Sequence, residues 1–312
     1  MNQSRIVSLG GGHGLAAMLS ALRFISNELT AIVTVADNGG SSGRLRQEFN
    51  SLPPGDLRMA LAALCSDDEW GRSWAEIMQY RFTSSGELNG HALGNLLLTA
   101  LWDRDEDPVQ GLDRVGALLK VVGRVLPMAR EPLDIEATFR NWEGAHVIRG
   151  QKEVAAGKGR LEDLRIIPNN PQPTTEGIHA ISRADWITLG PGSWFSSVMP
   201  HLLVPEQREA IQRSAAKILI VLNLDAVASA AGDELAGSSP AEHLRIMLRY
   251  APSFRCDIAL ADHSIASSPT ERAALEEIVN SMGGRLVIDD VATHPGSNQD
   301  RKSTRLNSSH RT

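Results

Sequence analysis

The sequence contains little cysteine, few aromatic residues and no long apolar run. Its two cysteines, Cys65 and Cys256, are far apart and lack the spacing of metal ligands, so neither a disulfide framework nor a zinc knuckle is indicated. No stretch approaches the roughly 20 apolar residues of a membrane helix. The N-terminal apolar run is interrupted by four glycines and a histidine, which argues against a signal peptide. These absences favour a protein of the reducing cytoplasm that does not insert into membranes.

An excess of basic residues is also missing. The chain carries 31 Lys and Arg against 37 Asp and Glu, a net charge of −6. This balance argues against general nucleic-acid binding, which depends on a positive surface. Aromatic residues make up only 4% of the 312 positions, so Leu, Ala, Val and Ile must fill the core. A chain of this length can form one large α/β domain or two smaller ones.

The N-terminal segment has the pattern of a strand, a glycine turn and a helix. Residues 5–9 are typical of a short buried strand, residues 10–14 (GGGHG) form the turn, and residues 15–22 have apolar positions at helical spacing. From Gly12 the turn fits the dinucleotide fingerprint G-x-G-x-x-A, with Ala17 in the last place. A helix N-terminus attracts phosphate through its free N–H groups and its dipole. The segment therefore predicts a nucleotide or phosphate site.

A second glycine-rich loop, ADNGGSSGRLR at residues 36–46, follows the next predicted strand. Its glycines permit close backbone approach to a ligand, and its serine hydroxyls and N–H groups can surround a phosphate oxygen. Arg44 and Arg46 add forked donors that suit phosphate or carboxylate. Asp37 follows Gly14 by 23 residues, near the spacing of a ribose-binding acid. The alternative is a flexible surface loop, but the pairing with the first loop favours an anion pocket.

Two helices are predicted directly after this loop. Residues 53–65 open with a turn in which Asp56 is placed to cap a helix. Residues 89–102 have a polar, glycine-bearing start followed by an apolar helix. His91 and Asn95 stand at i and i+4 near its beginning, so they share a face. These two side chains either cap the helix or contact a ligand.

The middle of the chain has a different pattern. Residues 111–126 form an amphipathic run of helical type. Within residues 133–167, the segments 135–139 and 146–148 alternate in polarity, which predicts a short antiparallel hairpin. Residues 168–175 (PNNPQPTT) form a proline-rich connector.

The α/β pattern resumes in the last third of the chain. A buried strand at 186–189 runs into Gly190-Pro191-Gly192-Ser193 and then into a helix near 196–203, which is a second candidate anion cradle. The other predicted elements are strands at 31–35, 218–222 (ending at Asn223), 257–261 and 285–288, and a helix at 240–250.

Loops at the carboxyl ends of parallel strands lie on one edge of a sheet, and ligands bind there. The sequence therefore predicts a Rossmann-like, doubly wound α/β fold with a mostly parallel sheet and an inserted antiparallel hairpin, in one domain over residues 1–299. The candidate ligand-contacting residues are Gly10, Gly11, Gly12, His13, Gly14, Asp37, Asn38, Gly40, Ser41, Ser42, Arg44, His91, Asn95, Gly190, Pro191, Gly192, Ser193 and Asn223.

The C-terminal segment is excluded from this domain. Residues 300–310, DRKSTRLNSSH, match the in-frame translation of a common DNA sequencing adapter. We therefore expect residues 300–312 not to be native and the true C-terminus to be missing. The stretch at 289–294 resembles the place where a known family enters its final helix.

Several motifs in order resemble one known family. The chain is similar to the YvcK-type gluconeogenesis factors, which share a superfamily with the 2-phospho-L-lactate transferase CofD. The resemblance implies a Rossmann-like fold and a cytoplasmic protein that is required for growth and cell shape on gluconeogenic carbon sources. It also implies binding of UDP-sugars, notably UDP-N-acetylglucosamine. The motifs are GGGHG (10–14), DNGGSSGRLR (37–46), PPGDLR (53–58), GHALGNLLL (90–98) and GPGSWFSSVMPHLL (190–203), followed by Asn223-Leu224.

The second loop bears on which branch of this superfamily applies. The transferase branch uses a metal ion and a nucleotide-activated donor, and it typically has adjacent aspartates here. This chain has Asp37-Asn38, with one carboxylate, so the case for Mg²⁺ as a cofactor, and for Asp37 as a metal ligand or catalytic residue, is weakened. Near Leu224 the family's Gly-Glu-Thr stretch is replaced by residues 231–235, AGDEL, with an apparent insertion.

Three functions stay open from the sequence. The first is a nucleotide-sugar-binding factor, the second is a transferase of a phospho-linked group, and the third is an NAD-binding oxidoreductase. A homo-oligomer is compatible with each of them.

Overall fold

The computed structural model describes residues 4–105, 107–223, 239–264 and 268–291. Within these ranges the chain forms ten strands, which are β1 (Ile6–Gly10), β2 (Leu29–Val33), β3 (Arg124–Pro127), β4 (Asp134–Asn141), β5 (Gly144–Arg149), β6 (Arg160–Ile167), β7 (Trp186–Leu189), β8 (Lys217–Val221), β9 (Ile258–Asp262) and β10 (Arg285–Asp289). The same ranges contain twelve α-helices, which are α1 (Gly12–Leu22), α2 (Gly40–Phe49), α3 (Pro54–Leu64), α4 (Glu69–Gln79), α5 (Leu93–Asp105), α6 (Pro108–Leu119), α7 (Gln151–Ala155), α8 (Thr175–Arg183), α9 (Pro200–Leu203), α10 (Pro205–Arg213), α11 (Pro240–Tyr250) and α12 (Pro269–Ser281). A π-helical turn, Trp194–Val198, precedes α9.

Seven of these strands form one sheet in the order β10-β9-β8-β7-β1-β2-β3. Every neighbouring pair in this sheet is parallel. The chain runs outward from β1 through β2 to β3, then returns to the other side of β1 and runs outward again from β7 to β10. The winding direction therefore reverses between β1 and β7, and such a switch point is where doubly wound folds bind ligands. This arrangement confirms the fold class predicted from the sequence.

Strand β1 shows why this sheet forms in the interior. Its sequence IVSLG is buried at all five positions, which is typical of a parallel strand covered on both faces. The one polar side chain, Ser8, accepts a hydrogen bond from Thr188 of β7 at 2.8 Å. The neighbouring strands supply fully buried Ile32, Ile187 and Ile220. The core thus rests on aliphatic side chains, as the low aromatic content predicted.

The predicted hairpin insertion is present and is larger than predicted. Strands β4 and β5 pair antiparallel, and a third strand, β6, pairs antiparallel with the other side of β4. Along β4 the side chains of Ile135, Ala137 and Phe139 are buried and alternate with more accessible ones. We refer to β4, β5, α7 and β6 together as the inserted module.

One helix prediction is wrong in its extent. The run at 111–126 is not a single helix, because α6 ends at Leu119 and strand β3 begins at Arg124. Lys120 terminates α6 in the left-handed conformation, with φ of 52°. The apolar residues beyond it continue a helical spacing by chance while serving a strand. The predicted final helix and residues 300–312 lie outside the described residues, and the single domain over 1–299 stays a prediction.

Candidate functional site

The first glycine loop (residues 10–14) and the glycine loop after β7 (residues 190–193) contact each other at the switch point. The backbone of Gly14 is so close to the loop after β7 that a Cβ there would overlap the carbonyl oxygen of Pro191. A Cβ on Gly192 would stand 3.6 Å from the carbonyl oxygen of Gly11. Gly190 has a φ of 73°, a conformation that favours glycine. Residues 180 positions apart in the chain therefore form one continuous backbone surface.

Two helices begin at this edge of the sheet without a side-chain cap. Helix α1 begins at Gly12 and α2 at Gly40, and neither N-cap glycine can supply a side-chain hydrogen bond. Neither helix has an acid in its first turn. The N–H of Gly12 donates to Asp56 and that of Gly39 to Asp37, so the remaining first-turn N–H groups and the positive dipole ends are what an anion can use. Ser41 and Ser42 lie buried in the first turn of α2 rather than in an irregular turn, so the flexible-loop alternative is wrong.

A buried polar cluster links α2 to the start of α5. The hydroxyl of Ser41 lies 3.0 Å from Nδ1 of His91 and accepts a hydrogen bond from Nδ2 of Asn95 at 2.9 Å. His91 precedes α5 rather than lying within it, yet both side chains converge on Ser41. Burial and the nearby Arg44 lower the pKa of His91, which favours the neutral imidazole near pH 7. The prediction that His91 and Asn95 share a helix face is wrong, because His91 lies before α5, yet both side chains contact Ser41.

Asp56 is the acid that sequence reasoning missed. It lies in the first turn of α3 but does not cap that helix, whose N-cap is Pro53 and lacks a side-chain hydrogen bond. Instead its Oδ2 stands 2.5 Å from the position that a Cβ on Gly11 would take. Burial, followed by the charge of Asp37, raises the pKa of Asp56 to about 7. The signal in the sequence was the glycine before it, in PPGDLR, because Gly55 leaves room for Asp37 and Ser42.

The two acids are the residues that could hold a divalent cation. No group of three or more His, Cys, Asp or Glu side chains with metal-binding geometry occurs among the described residues. Magnesium, however, is commonly held by one or two carboxylates together with water and substrate phosphates. Asp56 has a buried oxygen without a partner and shares its electrostatic environment with Asp37. This pair therefore fits the metal that the transferase branch implies, even though position 38 is an asparagine.

Some predicted site residues support the loops. The amide of Asn223 pairs with Gly192 in both directions: Gly192 N donates to Oδ1 at 2.8 Å, and Nδ2 donates to the Gly192 carbonyl at 2.7 Å. Ser193 caps the π-helical turn by accepting from the N–H of Ser196 at 3.2 Å. Arg44 donates to the carbonyl oxygens of two residues in the 84–90 loop, at 3.2 and 2.7 Å. These contacts fix the shape of the site, and a direct role of these side chains toward a ligand stays a prediction.

Two buried residues beyond the predicted set hold the first glycine loop. Nε2 of His201 lies 3.3 Å from the carbonyl oxygen of Gly10, and its Nδ1 lies 2.8 Å from Nε2 of Gln207. Because the amide of Gln207 donates to Nδ1, the imidazole carries its proton on Nε2 and donates it to Gly10. Burial lowers the pKa of His201 to about 4, so the ring is neutral at ordinary pH. Nothing in its local sequence distinguishes His201 from a core residue.

Unpartnered polar atoms are concentrated around this edge. The buried side-chain atoms without a hydrogen-bond partner in the described part of the chain include Thr34 Oγ1, Asp56 Oδ2, Arg58 Nε, Asn95 Oδ1 and Trp194 Nε1. Most buried polar groups in proteins are hydrogen-bonded, so such exceptions require an explanation. Thr34 and Asp56 both face the first glycine loop, and Asn95 is bonded to the first turn of α2. The concentration marks a place where water or a ligand completes the structure.

The fold and this edge define a Rossmann-like, doubly wound α/β protein whose candidate ligand site lies at the topological switch point. The family profile of the 2-phospho-L-lactate transferase CofD matches residues 6–291, and the chain therefore belongs to the CofD family. The resemblance inferred from the motifs is thereby confirmed.

Relatives from two genera carry the name gluconeogenesis factor, which supports this branch of the superfamily. A Mycobacterium tuberculosis protein called "Putative gluconeogenesis factor" is 46% identical over 296 residues, covering 94% of this chain and 85% of the relative. The "Gluconeogenesis factor" of Halalkalibacterium halodurans is 34% identical over 262 residues, covering 84% and 77%. An X-ray crystal structure of a Bacillus halodurans protein superposes with a TM-score of 0.81 at 30% identity and 93% coverage of both chains. A second crystal structure, of a UPF0052-family protein from Bacillus halodurans, gives the same TM-score and identity.

Among the residues that the structure describes, no helix is long and apolar enough to cross a membrane.

Proposed function

We propose that this protein is a cytoplasmic nucleotide-sugar-binding factor of the gluconeogenesis-factor type, required for growth and cell shape under gluconeogenic conditions. Its proposed ligand is a UDP-sugar such as UDP-N-acetylglucosamine. The names of the relatives support this assignment at the level of the family. The ligand itself is argued from the site.

The observation that carries the proposal is the convergence of α1 and α2 at the switch point. Both helices begin after a glycine N-cap and lack an acid in the first turn. Asp56 accepts from the N–H of Gly12 and Asp37 from that of Gly39, which leaves the other first-turn N–H groups and the helix dipoles to attract an anion. A diphosphate supplies that charge and accepts hydrogen bonds from the free N–H groups. The glycine contact between Gly14 and Pro191 keeps side chains away from this backbone surface, as close approach to phosphate requires.

The polar groups around the helix ends suit the remainder of such a ligand. The neutral His91, which is bonded to Ser41, can donate a hydrogen bond to a ligand hydroxyl. The unpartnered carbonyl oxygen of Asn95 can accept one. Nucleotide sugars combine a diphosphate with many hydroxyls, and so match a site that has both anion-binding backbone and buried polar side chains.

A thermal shift experiment tests this proposal. We expect UDP-N-acetylglucosamine to raise the melting temperature, because a ligand at about 100 times its dissociation constant stabilises the folded state by ~2.7 kcal/mol. NAD at the same concentration is the control, and it should produce no comparable shift. A strong shift with NAD and none with any UDP-sugar would instead identify an NAD-binding oxidoreductase.

The second candidate function is a phospholactate transferase-like enzyme, and the Asp37–Asp56 pair favours it. A divalent cation held by these carboxylates would neutralise charge on the phosphate groups of a nucleotide-linked donor. With the cation bound Asp56 would be ionised, despite its raised pKa of about 7 in the metal-free protein. The helix ends of α1 and α2 would orient the phosphates in this case too.

An activity assay separates the two functions. The protein is incubated with Mg²⁺, a nucleotide-linked phospholactate donor and a deazaflavin acceptor, and product is followed over time. We expect no product above the level of a control without protein. Product that Asp37→Asn abolishes would overturn the binding-factor proposal in favour of the transferase.

A further inference from the structure

The inserted module touches the candidate site through a short helix. The side chain of Asn38, in the second glycine-rich loop, uses both ends of its amide on α7. Its Nδ2 donates to Oε2 of Glu153 at 2.8 Å, and its Oδ1 accepts from the backbone N–H of Lys152 at 3.4 Å. An aspartate at position 38 would place a second carboxylate against Glu153. The asparagine that departs from the transferase pattern thus matches a contact with the module.

This contact places a lysine beside the beginning of α2. The side chain of Lys152 lies across Gly39, so that a Cβ on Gly39 would overlap Cε of Lys152 and stand 3.0 Å from Nζ. The backbone of Gly39 is the N-cap of α2. The ammonium group therefore stands next to the positive end of a helix dipole, with Oδ1 of Asp37 3.2 Å from the same Cβ position.

Lys152 is exposed, and together with the hydrogen bond from Asn38 its charge helps to lower the pKa of the adjacent Glu153. The nearest acid in the loop, Asp37, directs Oδ1 to the N–H of Gly39 at 2.8 Å. The same edge of the sheet holds two buried oxygen atoms outside α2 that have no hydrogen-bond partner, Thr34 Oγ1 and Asp56 Oδ2. Both residues are more than nine-tenths buried. The lysine charge and the helix end favour a ligand with negative charge, and the orphaned oxygens of Thr34 and Asp56 mark a place where water, a cation or a hydrogen-bond donor of a ligand completes the structure.

We propose that Lys152 is a diphosphate-contacting residue of the nucleotide-sugar site, supplied by the inserted module and positioned by Asn38. This inference rests on the proposed function and assigns a specific role to the module. Lysine acts as a point charge toward phosphate, so the module adds electrostatic affinity to a site otherwise built from backbone N–H groups. Residues 110 or more positions apart along the chain then act on one ligand.

Calorimetric titration of UDP-N-acetylglucosamine into the full chain tests the assignment. We expect Lys152→Met to raise the dissociation constant about 10-fold or more, which is typical of a lost charge-assisted contact. Lys152→Arg, which keeps the charge, should recover most of the affinity. The matched control is Lys158→Met, which removes the same charge from an exposed position of the same module and should stay within about twofold of wild type.

Asn38→Ala distinguishes positioning from a general loss of structure. It should weaken binding through Lys152, so the double variant with Lys152→Met should bind no more weakly than the single lysine variant. Melting temperatures of all variants without ligand are measured alongside.

The outcomes separate this inference from the proposed function. If wild type binds the UDP-sugar and Lys152→Met binds equally well, the role of Lys152 is refuted and the proposed function stands. An affinity loss in Lys158→Met as large as in Lys152→Met also refutes it, since net charge alone would then explain the effect. If wild type binds no UDP-sugar, both are overturned.

Discussion

Replacing Gly14 by alanine is expected to lower the free energy of unfolding by about 3 kcal/mol, at the upper end of the usual cost of overpacking, and to abolish UDP-sugar binding. The added Cβ would overlap the carbonyl oxygen of Pro191 and stand 2.6 Å from its carbonyl carbon. These are backbone atoms, so no flexible side chain can move aside. The loops after β1 and β7 would have to separate, and the surface on which we place the diphosphate would be broken.

The expected sign is opposite to that of helix propensity. Gly14 lies within α1, where alanine is favoured over glycine by about 1 kcal/mol in an exposed helix. A net loss of stability therefore shows that the contact with Pro191 outweighs this gain. Chemical denaturation measures the free energy, and calorimetry measures ligand binding. The control is Gly86→Ala, because a Cβ on Gly86 would have no atom within 4 Å. This variant should change neither the free energy of unfolding nor ligand binding appreciably.

A Gly14→Ala variant as stable as wild type, and still able to bind, would contradict the contact between the two glycine loops. If the variant is stable but no longer binds, the assignment of the ligand site stands, and the contact contributes less to stability than we expect.

The local parts of this site could be predicted from the sequence because each is a short pattern with its own physical reason. A strand, a glycine turn and an apolar helix are contiguous at residues 6–22, and the same order recurs at residues 186–203. Helical spacing placed His91 and Asn95 on one face; His91 in fact precedes α5, but both side chains reach Ser41. Such signals depend on neighbours in the chain, and the structure confirms that they lie at one edge of the sheet.

What could not be predicted depends on pairs that are distant in sequence. An aspartate near the start of a helix looks like a cap, so Asp56 was assigned that role until its position against Gly11 was known. Arg44 looked free to bind phosphate, but its guanidinium donates to carbonyl oxygens of another loop. The strand at residues 124–127 was hidden because its apolar residues follow α6 at helical spacing. In each case tertiary contacts override a local pattern.

The second large effect concerns pH and Asp56. The pKa of Asp56 is about 7 in the folded protein and near 3.9, the ordinary value, in the unfolded chain. The carboxyl is therefore protonated in both states below about pH 4. Between these values the unfolded chain releases the proton while the folded protein retains it. The contribution of this carboxyl to the free energy of unfolding is therefore fully present below about pH 4, and it is lost as the pH rises through about 7.

Asp56→Asn removes this titration with little change of shape. We expect the free energy of unfolding of Asp56→Asn minus that of wild type to increase by about 4 kcal/mol between pH 4 and pH 8, since one pKa unit corresponds to about 1.4 kcal/mol. Denaturation curves at closely spaced pH values measure it, and the subtraction cancels titration of other groups. EDTA is present throughout, because a divalent cation bound to Asp56 would require the ionised form and lower its pKa.

Asp185→Asn provides a control of opposite sign. The hydrogen bonds from Arg5 lower the pKa of Asp185 to about 2, so its stabilising effect is present above about pH 4 and is lost only as the pH falls toward 2. The difference between this variant and wild type should therefore stay constant from pH 5 to pH 8. If Asp56→Asn gives the same constant difference, Asp56 ionises normally, and the buried acid pair beside the first glycine loop does not exist in the form described. If the difference rises as expected, Asp56 enters the neutral range partly protonated, and the affinity of an anionic ligand should fall as that proton is released.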